Sequence, residues 1–378
     1  MDTILITGGA GFIGAHLAET LLAAGYNVRV LDSLEPQVHG PERRRPAYLN
    51  PAVELQRGDV RDPAAVQRAL RGVNGVFHLA ARVGVGQSMY QVQAYTDTNI
   101  NGTAVLLEQL MVQPVERLVV ASSMSIYGEG LYRNAEGQPV QAERRLPGPA
   151  ERAGPDAGRR PGWDITDAAG VALEPVPTPE TRAPALSSVY ALGKLAQEQL
   201  CLMCGKAYGQ PTVALRFFNV YGKYQALSNP YTGVLAIFGN RLLHGRPPLI
   251  FEDGLQRRDF VHVRDVARAC QLALEESAAV GGVFNIGSGR SLSILDLSRK
   301  IARVMGTDIA AEITGEYRTG DIRHCFADIS RARQVLGFRP TVPLDQGLQE
   351  LADWLARESS IDRVEQARDE LRQRRLAL

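Results

Sequence analysis

Cysteine is scarce, with four residues in a chain of 378, which is too few for a disulfide framework. Cys201 and Cys204 form a C-x-x-C. They fall in a run from Leu195 to Cys204 that reads as helix, and no second pair lies nearby. Buried thiols on a helix are therefore preferred to zinc or redox chemistry, and no metal site is expected. No run of roughly 18 apolar residues occurs, which excludes a membrane-spanning helix. The sequence enters an apolar strand pattern at once, Thr3-Ile4-Leu5-Ile6, which leaves no room for a basic segment followed by an apolar signal. A cytoplasmic location is expected. Charge of one sign is also lacking: 42 Lys and Arg stand against 41 Asp and Glu, a formal net charge of +1. Neither nucleic acid nor an anionic membrane surface is an expected partner. Any anion must be held by local geometry.

Hydrophobic residues make up 45% of the chain and charged residues 22%, the balance of a globular enzyme. Short apolar runs alternate with helical patterns over the first 120 residues. Strands are predicted at Ile4–Thr7, Val28–Asp32, Val53–Gln56, Gly75–Leu79 and Leu118–Ala121. Helices are predicted at Ala15–Ala24, Pro63–Arg71 and Gly102–Met111. Repeated strand–helix–strand units with near-continuous apolar strands predict an α/β fold, a doubly wound parallel sheet of Rossmann type. Residues 1–219 are read as this domain, 220–357 as a smaller C-terminal substrate domain with segments returning to the sheet, and 358–378 as a charged tail.

Residues 131–186 break the pattern. They hold nine of the 21 prolines, seven Arg and eight acidic residues, and no sustained apolar periodicity. An irregular, partly disordered surface insertion is expected there. In the tail, Ile361, Val364, Ala367 and Leu371 fall at helical spacing, which predicts an amphipathic helix.

Between the first strand and first helix lies Thr7-Gly8-Gly9-Ala10-Gly11-Phe12-Ile13-Gly14. Glycines at positions 8, 11 and 14 permit a tight turn, close approach to a pyrophosphate and close helix–strand packing. The exposed N–H groups and helix dipole then favour phosphates. Asp32 ends the second strand 18 residues after Gly14, where a carboxylate accepts from adenosine ribose hydroxyls and repels a 2′-phosphate. NAD is thus expected over NADP. Asp59 and Val60, after the next strand, are placed to meet the adenine edge.

Tyr190 and Lys194 stand at i and i+4 of a predicted helix, on one face. A free phenol titrates near 10, and a nearby ammonium favours its ionised form. Ser123 lies in Ser122-Ser123-Met124-Ser125-Ile126-Tyr127-Gly128, at the carboxyl end of a parallel strand, where ligands of such sheets bind. Its hydroxyl can share a hydrogen bond with the oxygen that Tyr190 deprotonates.

With these residues stand His78-Leu79-Ala80-Ala81, Asn99-Ile100-Asn101-Gly102-Thr103, Arg216-Phe217-Phe218-Asn219-Val220-Tyr221-Gly222, Arg258-Asp259-Phe260-Val261-His262-Val263 and Asn285-Ile286-Gly287-Ser288-Gly289. In this order they resemble the extended short-chain dehydrogenase/reductases of the nucleotide-sugar epimerase and dehydratase family. The match runs from Ile4 to about Arg357, apart from the insertion. The resemblance implies Ser123, Tyr190 and Lys194 as catalytic residues. It implies Gly8, Gly11, Phe12, Ile13, Gly14, Asp32, Asp59, Val60, Leu79, Ala80, Ala81, Asn99 and Phe217, with Tyr190 and Lys194, around NAD. Ser123, Ser125, Asn219, Arg258, Arg318 and Asp321 would meet the nucleotide-sugar substrate, Arg258 and Arg318 clamping its diphosphate; the alternative for Arg258 is an ion pair with Asp259 or Asp265. A homodimer through two helices per subunit is likewise implied.

Family members share an opening oxidation at the sugar's C4 and differ beside the catalytic hydroxyl. Dehydratases carry an Asp-Glu pair there and 3,5-epimerases a Cys; this chain has Met124 and Ser125, and a thioether exchanges no proton. Inversion at C4 is the expected reaction. Decarboxylation of UDP-glucuronate and reduction of a nucleotide sugar remain as alternatives, with a non-catalytic NAD(H) sensor as a distant one. dTDP-L-rhamnose and UDP-hexoses are the candidate substrates. A small Cys325, four residues after Asp321, is expected to shape the sugar pocket, and residues 83–90 to touch the sugar.

Overall fold

The computed structural model describes residues 2–142, 163–227, 229, 233–318, 320–358, 362 and 364–377. Seven strands form the central sheet: β1 Thr3–Thr7, β2 Asn27–Asp32, β3 Glu54–Arg57, β4 Gly75–His78, β5 Arg117–Ser123, β6 Thr212–Phe217 and β7 Val283–Ile286. Their order is β7-β6-β5-β4-β1-β2-β3, parallel throughout. The chain leaves β1 toward β3, then starts again on the other side at β4. The carboxyl ends of β1 and β4 thereby frame the crevice in which doubly wound sheets bind ligands.

The strands run apolar because helices cover both faces. Helices α1 (Phe12–Ala23), α2 (Pro63–Leu70), α3 (Gly102–Val112), α4 (Val189–Tyr208), α5 (Val234–Leu243), α6 (Val263–Glu275), α7 (Ile294–Val304), α8 (Leu344–Leu355) and α9 (Val364–Gln373) carry the rest of the architecture. Side chains alternate across β1: Ile4 and Ile6 join Leu17, Leu21 and Ala269 of α1 and α6. Leu5 faces the other way, into a cluster with Leu106, Leu110 and Cys201 of α3 and α4. A third core, with Phe238, Ile250, Leu297, Ile301, Leu348 and Leu351, joins α5, α7 and α8 beside the sheet.

Helix ends follow local chemistry. Asp62 caps α2, accepting from the Ala64 N–H, with Pro63 as the first helical residue. Ser188 caps α4 through the Ala191 N–H at 3.1 Å, and Gly209 ends it in the left-handed conformation at φ 68°.

Residues 131–186 hold more regular structure than their composition predicts. Leu131–Arg133 pairs antiparallel with Pro139–Gln141 and with Glu174–Val176 in a small three-stranded sheet. Tyr132 packs beneath it with Ala142 and Leu173. Polar strands this short carry too few apolar positions to show a period. The remainder of the expected irregular segment, 143–162, and Ile361 of the tail pattern lie outside the described residues. No described helix is long and apolar enough to cross a membrane.

Candidate active site

One cleft of about 720 Å³ runs from the carboxyl ends of the sheet to the third core. At the sheet end the glycine turn is shaped for close approach. Gly8 has φ +70°, and a Cβ there would stand 2.8 Å from the Ala80 Cα. Gly14 packs on the turn itself, since its Cβ would meet the Gly9 Cα at 2.5 Å. Gly11 enters α1 in extended conformation without a side-chain cap, so the first N–H groups of the helix are left for a ligand. Asp32 ties the turn down: Oδ2 accepts from the Ala10 N–H at 3.0 Å and Oδ1 from the Leu34 N–H at 2.8 Å. Arg29 is engaged elsewhere, on Glu54 at 2.8 Å and on the carbonyls of Ala69 and Arg71.

Phe12, Ile13, Asp59, Val60, Leu79, Ala80, Ala81 and Phe217 line the same cleft. The Arg61 guanidinium beside Asp59 holds its carboxyl below the usual range, against the opposing effect of partial burial. These features fit NAD: a side-chain-free phosphate turn, a helix N-terminus, and a carboxylate at the end of β2. Asn99 is placed differently from expectation. It is buried and closes on the backbone of Arg82, accepting from its N–H at 2.7 Å and donating to its carbonyl at 3.1 Å. It shapes the loop after β4 without lining the cleft. Gly8→Ala is expected to yield folded protein without co-purified NAD, measured as nicotinamide released on denaturation; retained cofactor would contradict the fit.

The three expected catalytic side chains converge. Ser123 ends β5, and its hydroxyl favours the ionised form of the neighbouring Tyr190 phenol. Ser125 donates its own hydroxyl to Ser123 Oγ at 2.9 Å, which leaves the Ser123 proton free to point at Tyr190 or a substrate oxygen. Tyr190 is set by its backbone as well, its N–H donating to Ser88 Oγ at 3.0 Å. Burial raises the Tyr190 phenol above its ordinary value, and the neighbouring Ser123 hydroxyl only partly opposes this. This differs from the expected lowering by Lys194. The ammonium of Lys194 instead donates to Gln197 Oε1 at 2.7 Å, and burial lowers it to about 8.

At the far end, Arg258 donates to the carbonyls of Ile322, Arg323 and Arg257, rather than to Asp259 or Asp265. Arg318 pairs bidentately with Asp321 at 2.9 and 3.1 Å and lies over the Phe251 ring at 4.5 Å. Asp321 thus orients a cation instead of facing an anion alone. Asn219 lines the cleft with a buried Oδ1 that has no hydrogen-bond partner among the described residues, an acceptor suited to a ligand hydroxyl or N–H.

The family model of the NAD dependent epimerase/dehydratase family matches residues 4–150 and 168–287. The chain belongs to this family. It is 36% identical to a dTDP-L-rhamnose 4-epimerase of Burkholderia thailandensis, over 94% of this chain and 95% of that protein. A UDP-glucose 4-epimerase of Thermotoga maritima, solved with UDP-glucose, superposes with a TM-score of 0.75 at 30% identity, covering 94% of this chain and 98% of that one. A UDP-glucuronic acid 4-epimerase of Bacillus cereus, solved with UDP-glucuronic acid and NAD, gives 0.74 at 28% identity, covering 94% and 99%.

Within this member of the epimerase/dehydratase family, several supporting residues escape a motif reading. Gln197 fills the space between Lys194 and the sheet, its Nε2 donating to Thr103 Oγ1 at 3.0 Å and to the Ala80 carbonyl at 3.2 Å. His78 joins them, bridging Thr7 and Thr103 at 2.8 and 2.9 Å. Burial holds it near pKa 3 and hence neutral. The glycine turn and Lys194 are therefore linked through one buried polar chain. Glu198, four residues after Lys194, was the available signal for a second link: it pairs with Arg216 of β6 at 2.6 Å. Arg216 in turn donates to Tyr127, which donates to Asn285. Cys325 is a correction. It is buried with Met124, Tyr127 and Phe218 behind the cleft and does not line it. Burial pushes its thiol up to about 12.

Proposed function

We propose that the chain is an NAD-dependent nucleoside-diphosphate-sugar 4-epimerase, with dTDP-L-rhamnose or a UDP-hexose as substrate. The observation that carries this is the convergence of Ser123, Tyr190 and Lys194 in the cleft that also holds the glycine turn and the Arg258–Arg318 pair. The glycine turn, Asp32, Phe217 and Lys194 hold NAD, which when bound supplies a hydride acceptor and donor beside C4. Tyr190 takes the proton of the C4 hydroxyl, and Ser123 keeps that oxygen in line by hydrogen bonding. Arg258 and Arg318 fix the diphosphate, with Asp321 aiming Arg318. Beside Ser123 the cleft offers the Met124 thioether and a hydroxyl already donated by Ser125. Neither removes a C5 proton, so the 4-keto sugar has only reduction from its other face left to it. Tyr190 then returns the proton.

The test is incubation of purified protein, without added NAD, with dTDP-L-rhamnose, UDP-glucose, UDP-glucuronic acid and UDP-N-acetylglucosamine. An equilibrating pair of C4 epimers is expected with one of them. Substrate loss matched by stoichiometric reduction of added NAD, with no epimer, would replace epimerisation by dehydrogenation or decarboxylation.

The same reading makes the enzyme a cytoplasmic homodimer through α3 and α4. In support, Leu192 and Met203 stand exposed three turns apart on one face of α4, and Met111 and Val112 are exposed at the end of the adjacent α3. Light scattering is expected to give twice the chain mass for the native protein. The Leu192→Glu/Met203→Glu variant should run as a monomer; unchanged mass would place the interface elsewhere.

A further inference from the structure

We propose that helix α9 is a working wall of the nucleotide-sugar site, closing the cleft over the nucleoside; this rests on the nucleotide-sugar reading above. Ala367 and Leu371 of α9 are buried and line the cleft together with Phe238, Leu249, Ile250 and Phe251. That apolar end lies past Arg258 and Arg318, where a base would fall once the diphosphate meets the two cations and the sugar reaches Tyr190.

The helix is fastened to both banks. On the substrate side, Arg368 donates to both oxygens of Glu316 at 3.1 and 2.8 Å, and Arg372 joins the same carboxylate. Arg241 pairs with Glu365 at 3.0 Å and with Asp362 at 3.6 Å. From the loop after β4, the Tyr90 hydroxyl donates to Glu370 at 3.1 Å, and the Arg374 guanidinium lies 4.4 Å from the Tyr90 ring centroid. Tyr90 ends the 83–90 segment, of which Val83, Val85, Gln87 and Met89 line the cleft. Beyond the helix, Ala377 forms an antiparallel bridge with Arg318. The residue that clamps phosphate is therefore backbone-paired to the tail, and Glu316, two residues before it, anchors α9. A nucleoside diphosphate seated on Arg318 and the packing of α9 stabilise one another, because both depend on the same short strand of chain.

The experiment compares the full chain with a truncation after Arg357 and with Leu371→Asp, which unseats the helix without shortening the protein. Binding of dTDP and UDP is followed by calorimetry, epimerisation by KM and kcat, and bound NAD by its absorbance after denaturation. In both variants Kd and KM are expected to rise about tenfold, the scale of losing one buried apolar side chain from a binding wall, with kcat within about twofold and NAD retained. Should the truncated chain fail to fold, Leu371→Asp and Glu370→Ala, each in the full chain, carry the same readouts. Unchanged Kd with NAD retained would overturn the proposal and leave α9 as packing alone. If the intact chain binds neither dTDP nor UDP, the nucleotide-sugar reading itself fails, and the role of α9 with it.

Discussion

Tyr190→Phe is expected to slow epimerisation by about 100- to 10,000-fold while NAD stays bound. In the proposed mechanism the phenol takes and returns the C4 proton, while Ser123, whose oxygen accepts from Ser125 at 2.9 Å, only orients the substrate oxygen. Removing one oxygen leaves the ring, the Tyr190 N–H bond to Ser88 Oγ and the Lys194–Gln197 bond in place. The pH dependence follows from the two titrations. Burial keeps the phenol above its ordinary value, so the ionised fraction, and with it kcat/KM, climbs about tenfold per pH unit through neutrality. Lys194 is a cation only below about 8. Above that pH the loss of its charge offsets the gain in phenolate, so the profile should level off near pH 8. In Lys194→Met the rate is lower at every pH but the climb continues past 8. A Tyr190→Phe variant within tenfold of wild type would move the base elsewhere, and a wild-type profile that still climbs at pH 9 would detach Lys194 from catalysis.

Glu198→Ala is expected to destabilise the protein by about 3–5 kcal/mol. The Arg216–Glu198 pair is bidentate, at 2.6 and 2.9 Å, with the Glu side chain fully buried and the Arg nearly so. Removing the carboxylate leaves a guanidinium with only the Tyr127 hydroxyl and the Glu180 carbonyl as acceptors among the described residues. The cost is that of an uncompensated buried charge, not of a lost attraction. Glu198→Met/Arg216→Met, which removes both charges at similar volume, should recover most of the loss in urea unfolding. A single-mutant loss below about 1 kcal/mol would mean that water reaches Arg216 and that the pair behaves as a surface pair does.

The fold and the centre of the site were legible in the sequence because both are written in contiguous stretches. β1, the glycine turn and α1 follow one another within 23 residues, and the turn must place backbone where Gly8 and Ala80 nearly touch. Tyr190 and Lys194 needed only the helical repeat. What escaped lies where partners are far apart along the chain. Asn99 reads as a cofactor residue by its motif, yet its amide is spent on Arg82. Cys325 reads as a pocket residue by its offset from Asp321, yet it is buried in a cluster with Met124, Tyr127 and Phe218. Gln197 meets His78 across 119 residues, and no local pattern announces that contact. The tail shows its apolar stripe but not what the stripe covers, since Tyr90 lies 280 residues from Glu370.

The route of the chain constrains how such an enzyme can be re-engineered. After β6 it leaves for the third core through α5, returns to the sheet through α6 and β7, and leaves again for α7 and α8. The half that would recognise a new sugar nucleotide is thus no cassette: exchanging it between relatives requires several splices, each cutting next to a sheet strand or a helix packed on it. This threading makes variation by recombination costly. On the proposed reading, new specificity is reached more simply by point changes in the 83–90 segment, around Arg318 and on α9, which line the cleft and can change without recutting the sheet.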